Sequence, residues 1–120
     1  MHELSIAQSI LDIVRQYVPE RDAPRVRTVF IKVGALAGVV PDSLDFSFTA
    51  ITAETPLQHA RLQIERIPFT IRCNNCNTTA EREAGIILCP HCGSMDTRTL
   101  TGTELNVTEI EVLDGAEETT

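Results

Sequence analysis

Apolar residues recur at helical spacing almost from the first position. Leu4, Ala7, Leu11, Val14 and Val18 share one stripe, widened by Ile6, Ile10, Ile13 and Tyr17. Ser5, Gln8, Ser9, Asp12, Arg15 and Gln16 fall opposite, so the pattern predicts an amphipathic helix over residues 3–18. Pro19 and Pro24 bracket a polar turn. The pattern then shortens: residues 25–34, centred on Val29, Phe30 and Ile31, predict a strand, with Gly34 and Gly38 marking the turn after it. A second helix is expected from Pro41 and Asp42, because proline suits a first helical turn and an acid favours the positive end of the dipole. Leu44, Phe48 and Ile51 form its buried stripe, and Thr55–Pro56 forces its end. Residues 61–71 predict a second strand with Leu62 and Ile64 in alternation, and residues 104–113 a third. In the third, Leu105 and Val107 share one parity and Ile110 and Val112 the other, which predicts a bulge near Thr108 and Glu109. Residues 115–120 read as a frayed acidic tail.

Two helices and three strands in this order predict an α+β fold, with both helices packed on a three-stranded mixed or antiparallel sheet. A cysteine-bearing segment sits between the last two strands. The expected organisation is therefore discontinuous: residues 1–70 and 102–120 form one α+β domain, and residues 71–101 an inserted zinc-ribbon module.

Composition narrows the function. Hydrophobic residues make up 42% of the 120, but aromatics only 4% with no Trp, so the core must be built from Ile, Val and Leu. The longest apolar runs are far too short to cross a bilayer, and the start lacks the basic and apolar blocks of a signal peptide. A cytoplasmic protein without membrane attachment is expected, and there four cysteines favour metal ligation over disulfides. The net charge of −7 disfavours nucleic acid as a partner, which would call for a basic stripe.

Cys73-x-x-Cys76 and Cys89-x-x-Cys92 are separated by twelve residues. A two-residue gap lets both thiolates of a knuckle face one ion, and two knuckles complete a closed tetrahedral Zn(II) site. So small an insert buries little core, so metal binding contributes much of its folding free energy. Gly93 permits the tight bend of the second knuckle. Redox exchange would need one CxxC at a helix start beside a βαβ pattern, which is absent. Iron would suit the Cys-Pro-x-Cys-Gly knuckle, but the aromatic shell expected of a rubredoxin is missing. Four protein ligands leave no position for water, so the ion is structural and hydrolytic chemistry is disfavoured.

At the chain start, His2 taken alone is compatible with a solvated terminal residue. The chemistry on offer is nevertheless specific. The Met1 amine, the His2 imidazole and the backbone amides of His2 and Glu3 could present four nitrogens in a plane, which suits Ni(II) or Cu(II) and not tetrahedral zinc. Binding would release protons and weaken as pH falls.

The opening Met-His-Glu-Leu-Ser-Ile-Ala, the turn from Val33-Gly34 to Val40-Pro41, and the paired knuckles followed by Gly102-Thr103-Glu104-Leu105 resemble, in order and over essentially the whole chain, the HypA/HybF family. These are nickel-insertion accessory proteins of [NiFe]-hydrogenase maturation. The resemblance implies a metallochaperone and not an enzyme, with His2 as a Ni(II) ligand, Glu3 supporting it through its amide or carboxylate, and the four cysteines holding Zn(II). It also implies a HypB-type GTPase as partner, the hydrogenase large subunit as recipient and, in some organisms, service to urease maturation. The competing reading is a zinc-ribbon interaction module of transcription or translation machinery, in which Met1 and His2 are incidental.

Other polar residues read more plainly. His91 fills the second knuckle, His59 lies in a polar turn, and Asp42 and Asp45 are helix-terminal charges. No Ser–His–Asp spacing is present. Gly34-Ala-Leu-Ala-Gly38 lacks the Lys-Ser/Thr ending of a phosphate loop, so GTP chemistry belongs to a partner.

Overall fold

The structure, a computed structural model, describes residues 3–113. The expected acidic tail lies outside them. Helix α1 runs Glu3–Tyr17 and buries Ile6, Ala7, Ile10, Leu11 and Val14 of the expected stripe, while Leu4 and Tyr17 at its two ends are exposed. A 3-10 helix, Glu20–Arg25, follows Pro19 and contains Pro24. Strand β1 (Val26–Gly34) leads to helix α2 (Pro41–Thr52), which has its proline in the first turn and buries Leu44, Phe48 and Thr52. The Thr52 hydroxyl donates to Phe48 O at 2.8 Å, so the one buried polar residue among the described residues is satisfied by the helix's own backbone. Helix α2 stops where Glu54 takes a positive φ of 62° and Thr55 Oγ1 donates to Thr52 O.

Residues 61–71 do not form one strand. They divide into β2 (Arg61–Ile67) and β3 (Phe69–Cys73), with Pro68 between them. Proline cannot donate to a ladder, so the chain leaves one sheet there and enters another. Strands β4 (Thr79–Arg82), β5 (Thr97–Thr101) and β6 (Leu105–Val112) follow. The fold is thus α+β with two three-stranded sheets, ordered β2-β1-β6 and β4-β3-β5. In the first sheet, Arg25 O accepts from Leu113 N and Glu104 O from Gly34 N, so β1 and β6 are antiparallel. Ala35 N donates to Ile67 O, joining the C-terminal ends of β1 and β2; these two run parallel, with α2 as the crossover. In the second sheet both pairings of β3 are antiparallel, with an irregularity between Thr70 and Ile71. Along β6 the less exposed positions pass from Leu105 and Val107 to Ile110, the parity change read from its sequence.

The chain divides into two compact units. The first comprises residues 1–31, 39–65 and 106–120, and the second residues 32–38 and 66–105. In the first, α1 and α2 pack together, and Leu11, Val14, Val29, Ile31, Leu44 and Phe48 are among its buried side chains. In the second, few side chains are buried: Val33, Phe69 and Ile71, with the sulfur-bearing Cys73 and Cys89. No described helix is long and apolar enough to cross a membrane.

Candidate metal centre and the chain start

Strand β3 ends on Cys73, and the chain turns at once to bring Cys76 beside it. Cys73 N donates to Thr78 O and Asn77 N donates back to Cys73 O, each at 2.9 Å. The second knuckle repeats this turn at the same offsets: Cys89 N donates to Ser94 O and Gly93 N to Cys89 O, again at 2.9 Å. The fifth residue of each turn is left-handed, Asn77 at φ 61° and Gly93 at φ 73°. Gly93 was legible as a bend; Asn77 was not singled out, although asparagine's tolerance of this conformation is the signal that marks it.

The two turns bring all four Sγ atoms within 4.8 Å of one another. Cys73 Sγ lies 3.6 Å from Cys92 Sγ, and Cys76 Sγ 3.6 Å from Cys89 Sγ, so each close pair joins one knuckle to the other. Four thiolates at about 2.3 Å from a central tetrahedral ion would stand about 3.8 Å apart. The set therefore fits a closed four-thiolate ion such as zinc. Cys73 and Cys89 are buried, whereas Cys76 and Cys92 are exposed.

The sulfurs differ in their surroundings. Hydrogen bonding with Thr78, through its hydroxyl at 3.2 Å and then its backbone, lowers the Cys76 thiol to about 6. The Asn75 side-chain amide, 3.6 Å from Cys92 Sγ, is the first cause of a downward shift at Cys92, followed by the Ser94 backbone. At Cys73 the largest single influence is the Cys76 amide, 3.4 Å from its sulfur, which acts downward. Burial and the adjoining Cys92 and Cys76 thiols outweigh it, and the group rises to about 11. Thr78 and Asn75 thus support the ligands, and only the folded turn reveals them.

A close backbone contact underlies the Gly102-Thr103-Glu104-Leu105 segment. Gly34 N donates to Glu104 O and Leu36 N to Gly102 O, both at 2.7 Å, while Glu104 Oε1 accepts from Gly102 N at 2.8 Å. A Cβ on Gly34 would stand 2.1 Å from Gly102 O, and one on Gly102, whose φ is 118°, 2.9 Å from Phe69 Cα. Only glycine fits either position.

Met1 and His2, expected to carry the nickel site with Glu3, lie outside the described residues. Glu3 opens α1 half-buried, and its carboxylate accepts from Val40 N at 3.4 Å, tying the start of α1 to the residue before α2. His59, His91, Asp42 and Asp45 are all exposed, and His91 stands outside the four-sulfur group.

Comparison with known proteins places this arrangement. Residues 1–112 match the family model described as HypA, hydrogenase/urease nickel incorporation, metallochaperone. A hydrogenase maturation factor HypA from Geotalea uraniireducens is 43% identical over 112 residues, covering 93% of this chain and 99% of that protein. One from Chloroflexus aggregans is 40% identical, with 92% and 98% covered. The fold matches the solution structure of the Ni metallochaperone HypA from Helicobacter pylori with a TM-score of 0.62 at 20% identity, covering 94% of this chain and 98% of that one. With the knuckles, their converging sulfurs and full-length relatives agreeing, the chain belongs to the HypA family of hydrogenase maturation nickel metallochaperones.

Proposed function

We propose that the chain carries Ni(II) as cargo on four coplanar nitrogens: the Met1 amine, the His2 imidazole, and the backbone amides of His2 and Glu3. The observation that supports this most directly is that the match to the nickel-incorporation family begins at residue 1, on Met-His-Glu. Planar nitrogen ligation suits Ni(II), and a site at the chain start is open to transfer. The Glu3 carboxylate is engaged by the Val40 amide, so we assign Glu3 a backbone role at the ion. Loading displaces protons from amine, imidazole and amides, so affinity falls with pH.

In this reading Cys73, Cys76, Cys89 and Cys92 hold a resident Zn(II), which closes the two knuckles and leaves no ligand position for substrate. The knuckle backbones orient the thiolates, and Thr78 and Asn75 hold their charge. The nickel-binding role belongs to residues 1–70 with 102–120, and the ribbon to residues 71–101. The protein is a cytoplasmic carrier and not an enzyme. It docks on a HypB-type GTPase and passes nickel toward the [NiFe]-hydrogenase large subunit, with urease maturation proteins as a second client class.

The test is a Ni(II) titration of untagged protein, of His2→Ala, and of protein with one residue added ahead of Met1. The expected result is a yellow planar-nickel absorption in the first that both variants lose while keeping zinc and fold. Equal nickel binding by all three would place the cargo elsewhere. One zinc per chain and no colour are expected before titration; a red protein would make the resident ion iron.

A further inference from the structure

The sheet ordered β4-β3-β5 has two unlike faces. Phe69, Ile71 and Cys73 of its central strand are buried on one, and the alternate residues Thr70 and Arg72 belong to the other. The cross-strand register extends that second face. Arg72 stands opposite Thr79 on β4 and opposite Arg98 on β5, and directly opposed residues project to the same side of a sheet. Thr79, Arg72 and Arg98 therefore form a row across all three strands, with Thr79 and Arg98 exposed and Arg72 half-buried.

Two arginines in direct cross-strand opposition repel one another. In a chain with 17 acidic residues and 10 basic ones, partners for them are plentiful, yet among the described residues neither guanidinium has a hydrogen bond or an ion pair. Two carboxylates share this face, one on each side of the pair along β3. Asp96, beyond the Cys73–Thr97 pair, accepts from Asn74 Nδ2 at 3.1 Å, and Glu81 stands opposite Thr70. Neither is in ion-pair contact with Arg72 or Arg98, so the row between them is a gap of unmatched positive charge. An oxyanion seated there would replace the repulsion with two attractions. One arginine fork saturates a carboxylate, whose two oxygens share one charge. Two opposed forks and a hydroxyl call for more: at least three acceptor oxygens and about two negative charges, which a phosphoryl group supplies.

We propose that Arg72, Arg98 and the Thr79 hydroxyl bind a phosphoryl group, supplied as free phosphate or as the phosphate chain of a nucleotide. The bound group ties β3, which ends on Cys73 of the first knuckle, to β5, which follows the second. Because it binds only the paired strands, its occupancy stabilises the folded ribbon. This inference does not depend on where nickel binds.

The test uses the full 120-residue protein, zinc-loaded and nickel-free, at fixed ionic strength. It is titrated with inorganic phosphate, with ATP free of divalent cations, and with acetate, while amide resonances and amide exchange are followed. Phosphate should shift the resonances of residues 70–73, 79–81 and 97–99 and slow exchange along β3 and β5, and acetate should not. Tighter binding of ATP would assign the site to a phosphate chain, and equal binding to a single phosphoryl ion. Arg72→Gln and Arg98→Gln should each weaken phosphate about tenfold, the loss of one charge-assisted partner, and Arg98→Lys should weaken it less. Without phosphate, Arg98→Gln should be no less stable than the parent protein, since it removes a repulsion; with phosphate, the parent protein should become the more stable. Arg21→Gln, at an exposed arginine of the 3-10 helix, controls for net charge and should leave binding unchanged. An equal response to acetate, an equal loss in Arg21→Gln, or shifts confined to regions outside β3, β4 and β5 would each overturn the proposal.

Discussion

The two units reach order by different routes. The helical unit buries a continuous apolar set from both helices and the strands, with Leu44 and Val29 wholly inaccessible to solvent. The ribbon unit buries few apolar side chains, and two of its buried residues are cysteines whose sulfurs face one another across 4.8 Å or less. One part of the chain folds by hydrophobic burial; the other gathers four sulfurs into a set that fits a structural ion. Fewer than fifty residues with short strands and little core are at the limit of what burial alone sustains, where a bound ion would add most to stability.

Metal removal tests this contrast most severely. Chelation should cost the ribbon unit on the order of 10 kcal/mol of metal-linked folding free energy, and the helical unit almost none. Hydrogen exchange with and without chelator reads both; uniform loss of protection would refute the division. In the opposite direction, Phe48→Ala should cost about 3–5 kcal/mol in the helical unit and leave metal content unchanged. Denaturant unfolding with zinc analysis checks this.

Gly102→Ala comes next, at about 3 kcal/mol, because the new Cβ must displace Phe69 backbone from a left-handed glycine. Its effect should appear as a lowered midpoint of thermal unfolding. Smaller still, Asn77→Ala and Gly93→Ala should each cost about 1 kcal/mol, since the two knuckles hold equivalent residues in the same left-handed conformation. Asn77→Gly should cost nothing measurable. If the two alanine variants differed widely, the knuckles would not be the equivalents their hydrogen bonds make them.

The finest distinction lies among the sulfurs of the folded knuckles, read by pulsed alkylation just after zinc is withdrawn and before the ribbon loses its hydrogen bonds. Cys76, lowered to about 6, is thiolate at neutral pH, while Cys73, raised to about 11, stays protonated. The sign for stability follows. A thiol held below its ordinary value near 9 contributes fully above that value, and the contribution is lost as pH falls through about 6. Alkylation mapped by mass spectrometry should therefore modify Cys76 well ahead of Cys73 at pH 7.5, with the Cys76 rate falling as pH drops through 6. Faster reaction at Cys73 would contradict the hydrogen bonding at Thr78.

Sequence pattern alone determined the two helices, β1, β6 and the four-cysteine cluster, because each depends on a local period or spacing. Burial at Leu11, Val14, Leu44 and Phe48 follows from a stripe that recurs every turn, and CxxC brings two sulfurs together whatever surrounds it. The break at Pro68 was open to reading, since proline cannot serve a ladder and Ile71 lies at the opposite parity to Leu62 and Ile64, but with apolar Ile67 and Phe69 on either side no polar turn marks the change of sheet. Strands β4 and β5 carried no signal: Thr-Ala-Glu-Arg and Thr-Arg-Thr-Leu-Thr lack apolar alternation and become strands only by pairing with β3. The same holds for Asn75 and Thr78 at the sulfurs, for Gly34 against Gly102, and for the Glu3 carboxylate on the Val40 amide. Each is a contact between positions that no periodicity links. Tertiary structure decided them because close backbone approach and hydrogen-bond geometry depend on where the chain returns, whereas amphipathic period and ligand spacing are written along it.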